Sequence, residues 1–183
     1  MASDMKTHTL SILVENKPGV LTRVAGLFAR RAFNIHSLAV GTTEDVKVSR
    51  ITIVTDESQA PIEQIALQLQ KLINVMKVHV LVDDKAVHRE IMLVKVNTEQ
   101  NGVCVRPEII AITNLFRVKV VDVAAESITI EATGKGSKLE ALVQALLPYK
   151  ILEIVRSGTI AISRGKDIIS LHKGIGEAPD VAE

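Results

Sequence analysis

Two kinds of hydrophobic spacing alternate along the chain, and their order predicts its secondary structure. Apolar residues three or four positions apart indicate an amphipathic helix, as at Val20, Val24 and Leu27. Apolar residues that alternate with polar ones indicate a strand with one buried face, as at 127–133. In the first half these patterns give the order βαββαβ, with strands at 8–14, 34–40, 48–55 and 75–82 and helices opened by Pro18 and Pro61.

The same order repeats after a polar link at residues 83–86. The repeat has predicted strands at 90–96, 118–123, 127–133 and 151–156, and helices whose first turns hold Pro107 and the capping box Ser137-x-x-Glu140. A βαββαβ unit is typical of a ferredoxin-like domain, in which both helices cover one face of a four-stranded sheet. We therefore predict an α+β fold of two tandem ferredoxin-like βαββαβ domains, at 7–82 and 88–164, followed by a mobile tail at 165–183.

Each predicted domain is small, and both of its helices lie on one face of the sheet. The other face of the sheet therefore has no helices covering it. A domain of about 80 residues buries a modest core. We assign Leu38, Val40 and Val54 to the uncovered face of the first sheet. Exposed apolar surface of this kind favours association. The sequence therefore predicts at least a dimer, formed as a homodimer through the first domain.

The composition excludes several classes of protein. The 183 residues include 22 Lys and Arg against 21 Asp and Glu, for a net charge of +1, and aromatic residues make up 2%. Nucleic-acid proteins usually carry a basic excess and stacking aromatics. The single cysteine, Cys104, cannot form an intrachain disulfide and indicates a reducing compartment. No apolar run suits a membrane span or a signal peptide, so we expect a cytoplasmic protein that binds neither nucleic acid nor membranes.

No group of side chains has the spacing of a catalytic or metal site. The histidines His8, His36, His79, His88 and His172 have no second ligand type at metal spacing. Cys104 has no neighbour that would activate a nucleophile, so we expect a buried small side chain. Asp83 and Asp84 fit a solvated link, and Gly134-Lys135-Gly136 fits a turn rather than a phosphate loop. The sequence therefore predicts a binding protein with no catalytic residues and no metal ligands.

One turn, at residues 14–21, has the chemistry to bind a small molecule. A helix N-terminus offers unpaired N–H groups and partial positive charge, which suit a carboxylate. Gly19 allows close approach to the backbone, and the side-chain oxygen of Asn16 can accept a hydrogen bond from an ammonium group. The apolar side chains expected beside it are Val20, Leu21, Ile35 and Leu38. Together these groups suit a small aliphatic amino acid, although Asn-x-Pro-Gly is also a common turn that binds nothing.

The residues around this turn form a long string that resembles a known family. The string is Asn16-x-Pro18-Gly19-Val20-Leu21-x-Arg23-Val24-x-Gly26-Leu27-Phe28-x-Arg30-Arg31, followed by Asn34-Ile35-x-Ser37-Leu38-x-Val40-Gly41 and Ser49-Arg50-x-Thr52-Ile53. In the second half, Arg89-Glu90-Ile91-Met92-Leu93-Val94-Lys95 and Val155-Arg156-Ser157-Gly158 also fit. Over about Thr7 to Gly165, the chain resembles the small regulatory subunit of acetolactate synthase (acetohydroxyacid synthase).

The resemblance implies that residues 7–82 form an ACT domain, which binds an amino-acid effector. It implies a non-catalytic subunit that stimulates a separate catalytic subunit in branched-chain amino acid biosynthesis. It also implies feedback inhibition by valine, leucine or isoleucine. The thiamine diphosphate, Mg²⁺ and FAD of the reaction would belong to the catalytic subunit, and this chain would carry no cofactor. The effector site would lie between two ACT domains and would consist of Asn16, Gly19, Val20 and Leu21 of one chain with Asn34 and Ile35 of its partner.

Two other functions are compatible with this fold. A stand-alone ferredoxin-like enzyme such as an acylphosphatase would use the same loop for phosphate, with Arg23 beside it, but it would need no second domain. An ACT-type amino-acid-responsive regulator of another partner, such as a DNA regulator, would bind the same effector. No helix-turn-helix or basic segment supports the DNA regulator.

Overall fold

The computed structural model describes residues 7–56, 61–100 and 102–169, and it divides the chain into two compact units. The described residues of the first unit are 7–56, 61–87 and 159–169, and those of the second unit are 88–100 and 102–158. Each unit has the βαββαβ order and an antiparallel sheet. The predicted α+β fold with two ferredoxin-like units is therefore confirmed.

The first unit packs two helices on one face of a four-stranded sheet. Its elements are β1 (Thr7–Glu15), α1 (Val20–Arg30), β2 (Ile35–Thr42), β3 (Val48–Asp56), α2 (Ile62–Gln70) and β4 (Val75–Leu81). The sheet order is β2-β3-β1-β4, so β2 and β4 are its edges. The core between sheet and helices is built from Leu10, Ile12, Val14, Ile51 and Ile53 of the strands and Val20, Val24, Leu27, Phe28, Ile62, Ile65 and Leu69 of the helices.

The prediction that Leu38 and Val40 lie on the uncovered face of this sheet is wrong. Leu38 pairs with Ile53 and Val40 pairs with Ile51, and paired residues of antiparallel strands point to the same face. Both residues are therefore on the helix side, at the β2 edge, where they are 36% and 48% exposed. The cause is a shift in register after Ile35, because one extra residue reverses the faces of all the residues that follow.

A segment from the end of the chain completes the first unit. Strand β11 (Ile160–Ser163) follows the second unit, and Ala161 packs with Leu81 in a small apolar cluster. Further on, Ile169 is 4% exposed. The second unit thus ends at Gly158, earlier than the predicted 164, and residues 165–169 of the predicted mobile tail belong to the first unit. The rest of that tail lies outside the described residues.

The second unit repeats the architecture with one addition. A short 3-10 helix (Asp83–Lys85) leads into β5 (Ala86–Asn97), followed by β6 (Glu99–Gln100), β7 (Val103–Cys104), α3 (Arg106–Phe116), β8 (Lys119–Val123), β9 (Ser127–Gly134), α4 (Gly136–Leu146) and β10 (Ile151–Arg156). The sheet order is β10-β5-β9-β8, and β6 pairs with β7. The core consists of Met92, Val94, Val96, Ile128, Ile130 and Ala132 packed on Ile109, Leu139, Leu142 and Leu146.

Two local predictions fail in this unit. Cys104 is exposed, because it lies on the short β6–β7 pair rather than in the core. The capping box does not form, because α4 begins at Gly136 and its N-cap position is Lys135, which places Ser137 inside the helix. The carboxylate of Glu140 instead accepts a hydrogen bond from Arg156 at 3.0 Å.

Candidate functional site

The N-terminus of α1 is open. Gly19 occupies the N-cap position with φ 80° and ψ −6°, a left-handed conformation that glycine adopts without strain. Among the described residues beyond its chain neighbours, no atom lies within 4 Å of the position that a Cβ on Gly19 would take. The helix has no side-chain cap and no acidic residue in its first turn. No acceptor from the described residues reaches the N–H groups of Leu21 and Thr22, so the start of α1 suits a carboxylate.

Asn16 fixes the loop that precedes this helix. Its backbone N–H donates to the carbonyl of Lys47 at 2.7 Å, and its side-chain Nδ2 donates to the carbonyl of Val46 at 2.8 Å. Both bonds attach the loop to the β2–β3 hairpin. Because Nδ2 donates to the hairpin, Oδ1 is the acceptor that an ammonium group requires.

A polar network braces the other side of the loop. Arg23 Nη1 donates to Asn74 Oδ1, and Asn74 Nδ2 donates to the carboxylate of Glu15. Lys17 Nζ lies 3.2 Å from the same carboxylate. The hydrogen bond from Asn74, followed by the bond from Lys17, lowers the pKa of Glu15 below its ordinary value. Sequence reasoning missed Asn74, because it is 59 positions from Glu15 and no local spacing connects the two.

The two apolar residues at the start of α1 differ in their position. Val20 is 4% exposed and its side chain belongs to the core on the helix side. Leu21 is 40% exposed and presents its side chain at the surface. Leu21 is therefore the residue of this pair whose side chain can contact a ligand, while Val20 anchors the helix.

The structure does not bring all six predicted site residues together within one chain. Ile35 pairs with Thr55, which pairs with His8 near the start of β1, whereas Asn16 follows the last residue of β1, Glu15. The seven steps from His8 to Glu15 correspond to about 23 Å of extended strand. Asn34 and Ile35 thus lie at one end of the sheet, and Asn16 and Gly19 at the other.

The start of β2 is held by a second set of polar contacts. The hydroxyl of Thr55 donates to the carbonyl of Asn34 at 2.7 Å. His36 Nε2 lies 2.8 Å from Asp56 Oδ2, and the side chain of Asp56 is 3% exposed. Sequence reasoning found no partner for His36, because its contact with Asp56 arises only when β2 and β3 pair. The hydrogen bond from Thr55 fixes the carbonyl of Asn34, while the side chain of Asn34 is at the surface.

Metal-binding groups and membrane-spanning helices can be described only within the ranges that the structure covers. Residues 7–56, 61–100 and 102–169 contain no group of three His, Cys, Asp or Glu side chains placed to hold a metal ion. No helix in those ranges has the length and apolar character needed to cross a membrane. His172 lies outside the described residues.

Comparison with known proteins identifies the family. Residues 10–77 match a family described as the AHAS small subunit-like ACT domain, and residues 89–165 match one described as the small subunit of acetolactate synthase. The acetolactate synthase small subunit of Mycolicibacterium smegmatis is 53% identical over 178 residues, which are 97% of this chain and 99% of that protein. This chain belongs to the acetolactate synthase small subunit family.

The family match extends to an archaeal relative and to a solved structure. The probable acetolactate synthase small subunit of Archaeoglobus fulgidus is 46% identical over 158 residues, covering 86% of this chain and 97% of the relative. The crystal structure of the small subunit from Thermotoga maritima is 40% identical and superposes with a TM-score of 0.80, covering 88% of this chain and 99% of that chain. The resemblance inferred from the sequence string is confirmed, and the first unit carries the ACT domain of this small-subunit family.

Proposed function

We propose that this chain is the non-catalytic regulatory subunit of an acetolactate synthase. In this role it stimulates the catalytic subunit and makes it sensitive to valine, or to leucine or isoleucine. The observation that carries the proposal is the open, uncapped N-terminus of α1 at Gly19 within the ACT domain of a small-subunit family member. Thiamine diphosphate, Mg²⁺ and FAD are assigned to the catalytic subunit, and none to this chain. Its cytoplasmic location stays a prediction.

The loop offers one partner for each part of an amino acid. The effector carboxylate accepts hydrogen bonds from the first-turn N–H groups of α1, beside the open space at Gly19. The ammonium group donates to Asn16 Oδ1, and the aliphatic side chain packs on Leu21. One methylene in an apolar pocket discriminates by only about 1–3 kcal/mol, so valine, leucine and isoleucine should all bind with graded affinities.

A two-fold dimer through β2 completes this site. Within the described sheet, β2 pairs only with β3 and leaves its other edge available. Thr42 pairs with Ser49, which pairs with Val14, so the end of β2 lies at the same end of the sheet as the effector loop. Antiparallel pairing of two β2 edges would bring the partner's Ile35 to Thr42. The partner's Asn34 would then reach the loop end that its own chain cannot reach.

The half-exposed apolar residues on β2 support this dimer. Leu38 and Val40 lie on the helix side of the edge strand, where their own helices do not cover them. In a β2–β2 pairing these side chains would meet their copies across the two-fold axis. Burying them there supplies a favourable term of roughly 25 cal/mol per Å² of apolar surface.

The alternative functions receive less support from the same geometry. An acylphosphatase would need Arg23 free to bind phosphate, whereas Arg23 donates to Asn74. A regulator of another partner would bind the amino acid through the same loop. Rate measurements on the acetolactate synthase catalytic subunit therefore distinguish it from an acetolactate synthase subunit.

The test combines binding and activation. Calorimetric titration of the pure chain with valine, leucine and isoleucine is run beside rate measurements on the catalytic subunit with and without this chain. We expect no turnover by the chain alone, a faster synthase rate in its presence, and inhibition of that rate by valine. Acetolactate formation by the pure chain, or a synthase rate and valine response that it leaves unchanged, would contradict the proposal.

A further inference from the structure

The C-terminal strap, defined as residues 159–169, crosses the face of the first sheet that the helices leave uncovered. At its start, the N–H of Thr159 donates to Ser37 Oγ on β2 at 2.6 Å. Ala161 of β11 is 6% exposed and packs with Leu81 of β4. These contacts place the first part of the strap at the end of the sheet where β1 begins, away from the effector loop.

The strap then runs to the opposite end of the sheet. Ile169 packs with Leu13 of β1 and Val48 of β3, and all three side chains are buried. Arg50 Nη2 donates to the carbonyl of Ile169 at 2.8 Å. The neighbouring residue Ile168 is 47% exposed, so of these two side chains only that of Ile169 packs on the sheet.

Ile169 is thus anchored next to the residues that hold the effector loop. Val48 is the first residue of β3 and directly follows Val46 and Lys47. The carbonyls of those two residues accept the two hydrogen bonds from Asn16. A change in the packing of Ile169 on Val48 therefore acts on the hairpin that sets the position of Asn16.

We propose that Ile169 and Arg50 are positioning residues for the effector loop, and that the strap holds the β2–β3 hairpin where it can bond Asn16. The inference rests on the proposed function for its effector. It assigns a role to residues just after the second unit, since the strap follows Gly158 directly. A first unit that ended at residue 87 would lack this support, so its effector response would be weaker than that of the full chain.

The experiment uses the full chain with Ile169→Ser as the test variant, Ile169→Val as the conservative variant and Ile168→Ser as the matched control. Amide hydrogen exchange is measured at Asn16, in the loop, and at Ile12, in the middle of β1, together with valine affinity. We expect Ile169→Ser to accelerate exchange at Asn16 about tenfold and to weaken valine binding by about three- to tenfold. The reason is that loss of the Ile169 contact lets the β2–β3 hairpin open locally. Exchange at Ile12 should be unchanged, and Ile169→Val and Ile168→Ser should behave as wild type.

Two results would overturn the inference. Equal acceleration at Asn16 and Ile12 would show a global loss of stability instead of a positioning role. Wild-type exchange at Asn16 or wild-type valine affinity in Ile169→Ser would show that the strap does not set the loop. If the wild-type chain binds no branched-chain amino acid, the proposed effector function fails, while the exchange rates at Asn16 still decide whether Ile169 positions it.

A second pair of variants tests the polar anchor. Arg50→Gln removes the charged donor to the Ile169 carbonyl, and Arg50→Lys retains the charge. We expect Arg50→Gln to accelerate exchange at Asn16 in the same direction as Ile169→Ser, with partial recovery in Arg50→Lys. An unchanged exchange rate in Arg50→Gln would remove Arg50 from the positioning role.

Discussion

The two units share one topology but differ at the turn between the first strand and the first helix. In the first unit, α1 begins after Gly19 with no side-chain cap and no acidic residue in its first turn. In the second unit, α3 begins at Arg106, whose Nη2 donates to the carbonyls of Ala124 and Ala125 at 2.7 and 2.8 Å. The first turn of α3 also contains Glu108. Neither helix has a side-chain cap, but only α3 carries an acidic residue in its first turn.

This difference separates what the fold provides from what a site requires. Every ferredoxin-like unit has a helix N-terminus at this point, so the helix alone does not define a binding site. In the first unit the open space at Gly19 and the Oδ1 of Asn16 add specific partners to the helix. In the second unit Glu108 places a negative charge in the first turn of α3, which disfavours a second anion there. We therefore propose that the effector binds to the first unit alone.

The largest effect should come from Gly19→Asp. The new carboxylate would occupy the place of the effector carboxylate, and a residue with a Cβ is strained at φ 80°. We expect a loss of valine affinity of more than about 100-fold, since a hydrogen bond to a charged group contributes roughly 1.5–3 kcal/mol and charge repulsion adds to it. The measurement is calorimetric titration with valine, leucine and isoleucine.

Gly102→Asp is the matched control for that variant. Gly102 lies in the second unit with φ 77°, and no described atom beyond its chain neighbours lies within 4 Å of its Cβ position. It therefore carries the same backbone strain and the same added charge without touching the effector loop. Equal loss of affinity in the two variants would show that strain or charge alone, and not occupation of the site, explains the result.

The next effect concerns the proposed dimer. Val40→Glu places a charge on the helix side of the β2 edge, and we expect it to convert the dimer to monomers at micromolar concentration and to weaken valine binding with it. Val120→Glu is its counterpart, because Val120 on the edge strand β8 pairs with Ile130 as Val40 pairs with Ile51. Sedimentation velocity on both variants gives the answer. A dimer that survives Val40→Glu but dissociates in Val120→Glu would move the interface to the second unit.

The smallest effect is a difference in electrostatics between the units. The pKa of Glu15 is lowered mainly by the neutral side chain of Asn74, whereas the pKa of Glu140 is lowered mainly by the charged Arg156. Because salt screens charges more than neutral hydrogen bonds, raising the ionic strength should raise the pKa of Glu140 more than that of Glu15. Asn74→Ala should raise the pKa of Glu15 and leave Glu140 unchanged. Carbon-detected NMR titration of the carboxyl groups at low and high salt measures both.

The sign of the stability effect follows from the lowered pKa values. A carboxyl group whose pKa is lower in the folded state stabilises the fold above its unfolded pKa. That contribution is lost as the pH falls through the folded pKa. The free energy of unfolding of Asn74→Ala should therefore approach that of the wild type as the pH falls, which acid unfolding curves measure. A stability difference that grows as the pH falls would contradict this assignment.

The sequence predicted those parts of the structure that depend on local patterns. The βαββαβ order followed from hydrophobic periodicity, and Pro107 lies in the first turn of α3 as predicted. The turn at Gly19 was recognisable because Asn-x-Pro-Gly precedes an amphipathic stripe. The parts that were missed depend on contacts between distant residues. The register shift after Ile35 and the position of Ile169 against Val48 have no signal in nearby sequence.

The most direct test of the account is an amide chemical-shift titration of the full chain with valine. The account predicts shifts at Gly19 and Leu21, at the open start of α1, and at Asn34 of the opposite sheet end in the same titration, because that residue comes from the partner. The amides of Glu108 and Ile109, at the start of α3, should not move. Shifts at α3, or shifts at Gly19 without any at Asn34, would contradict an effector site formed by the first units of two chains.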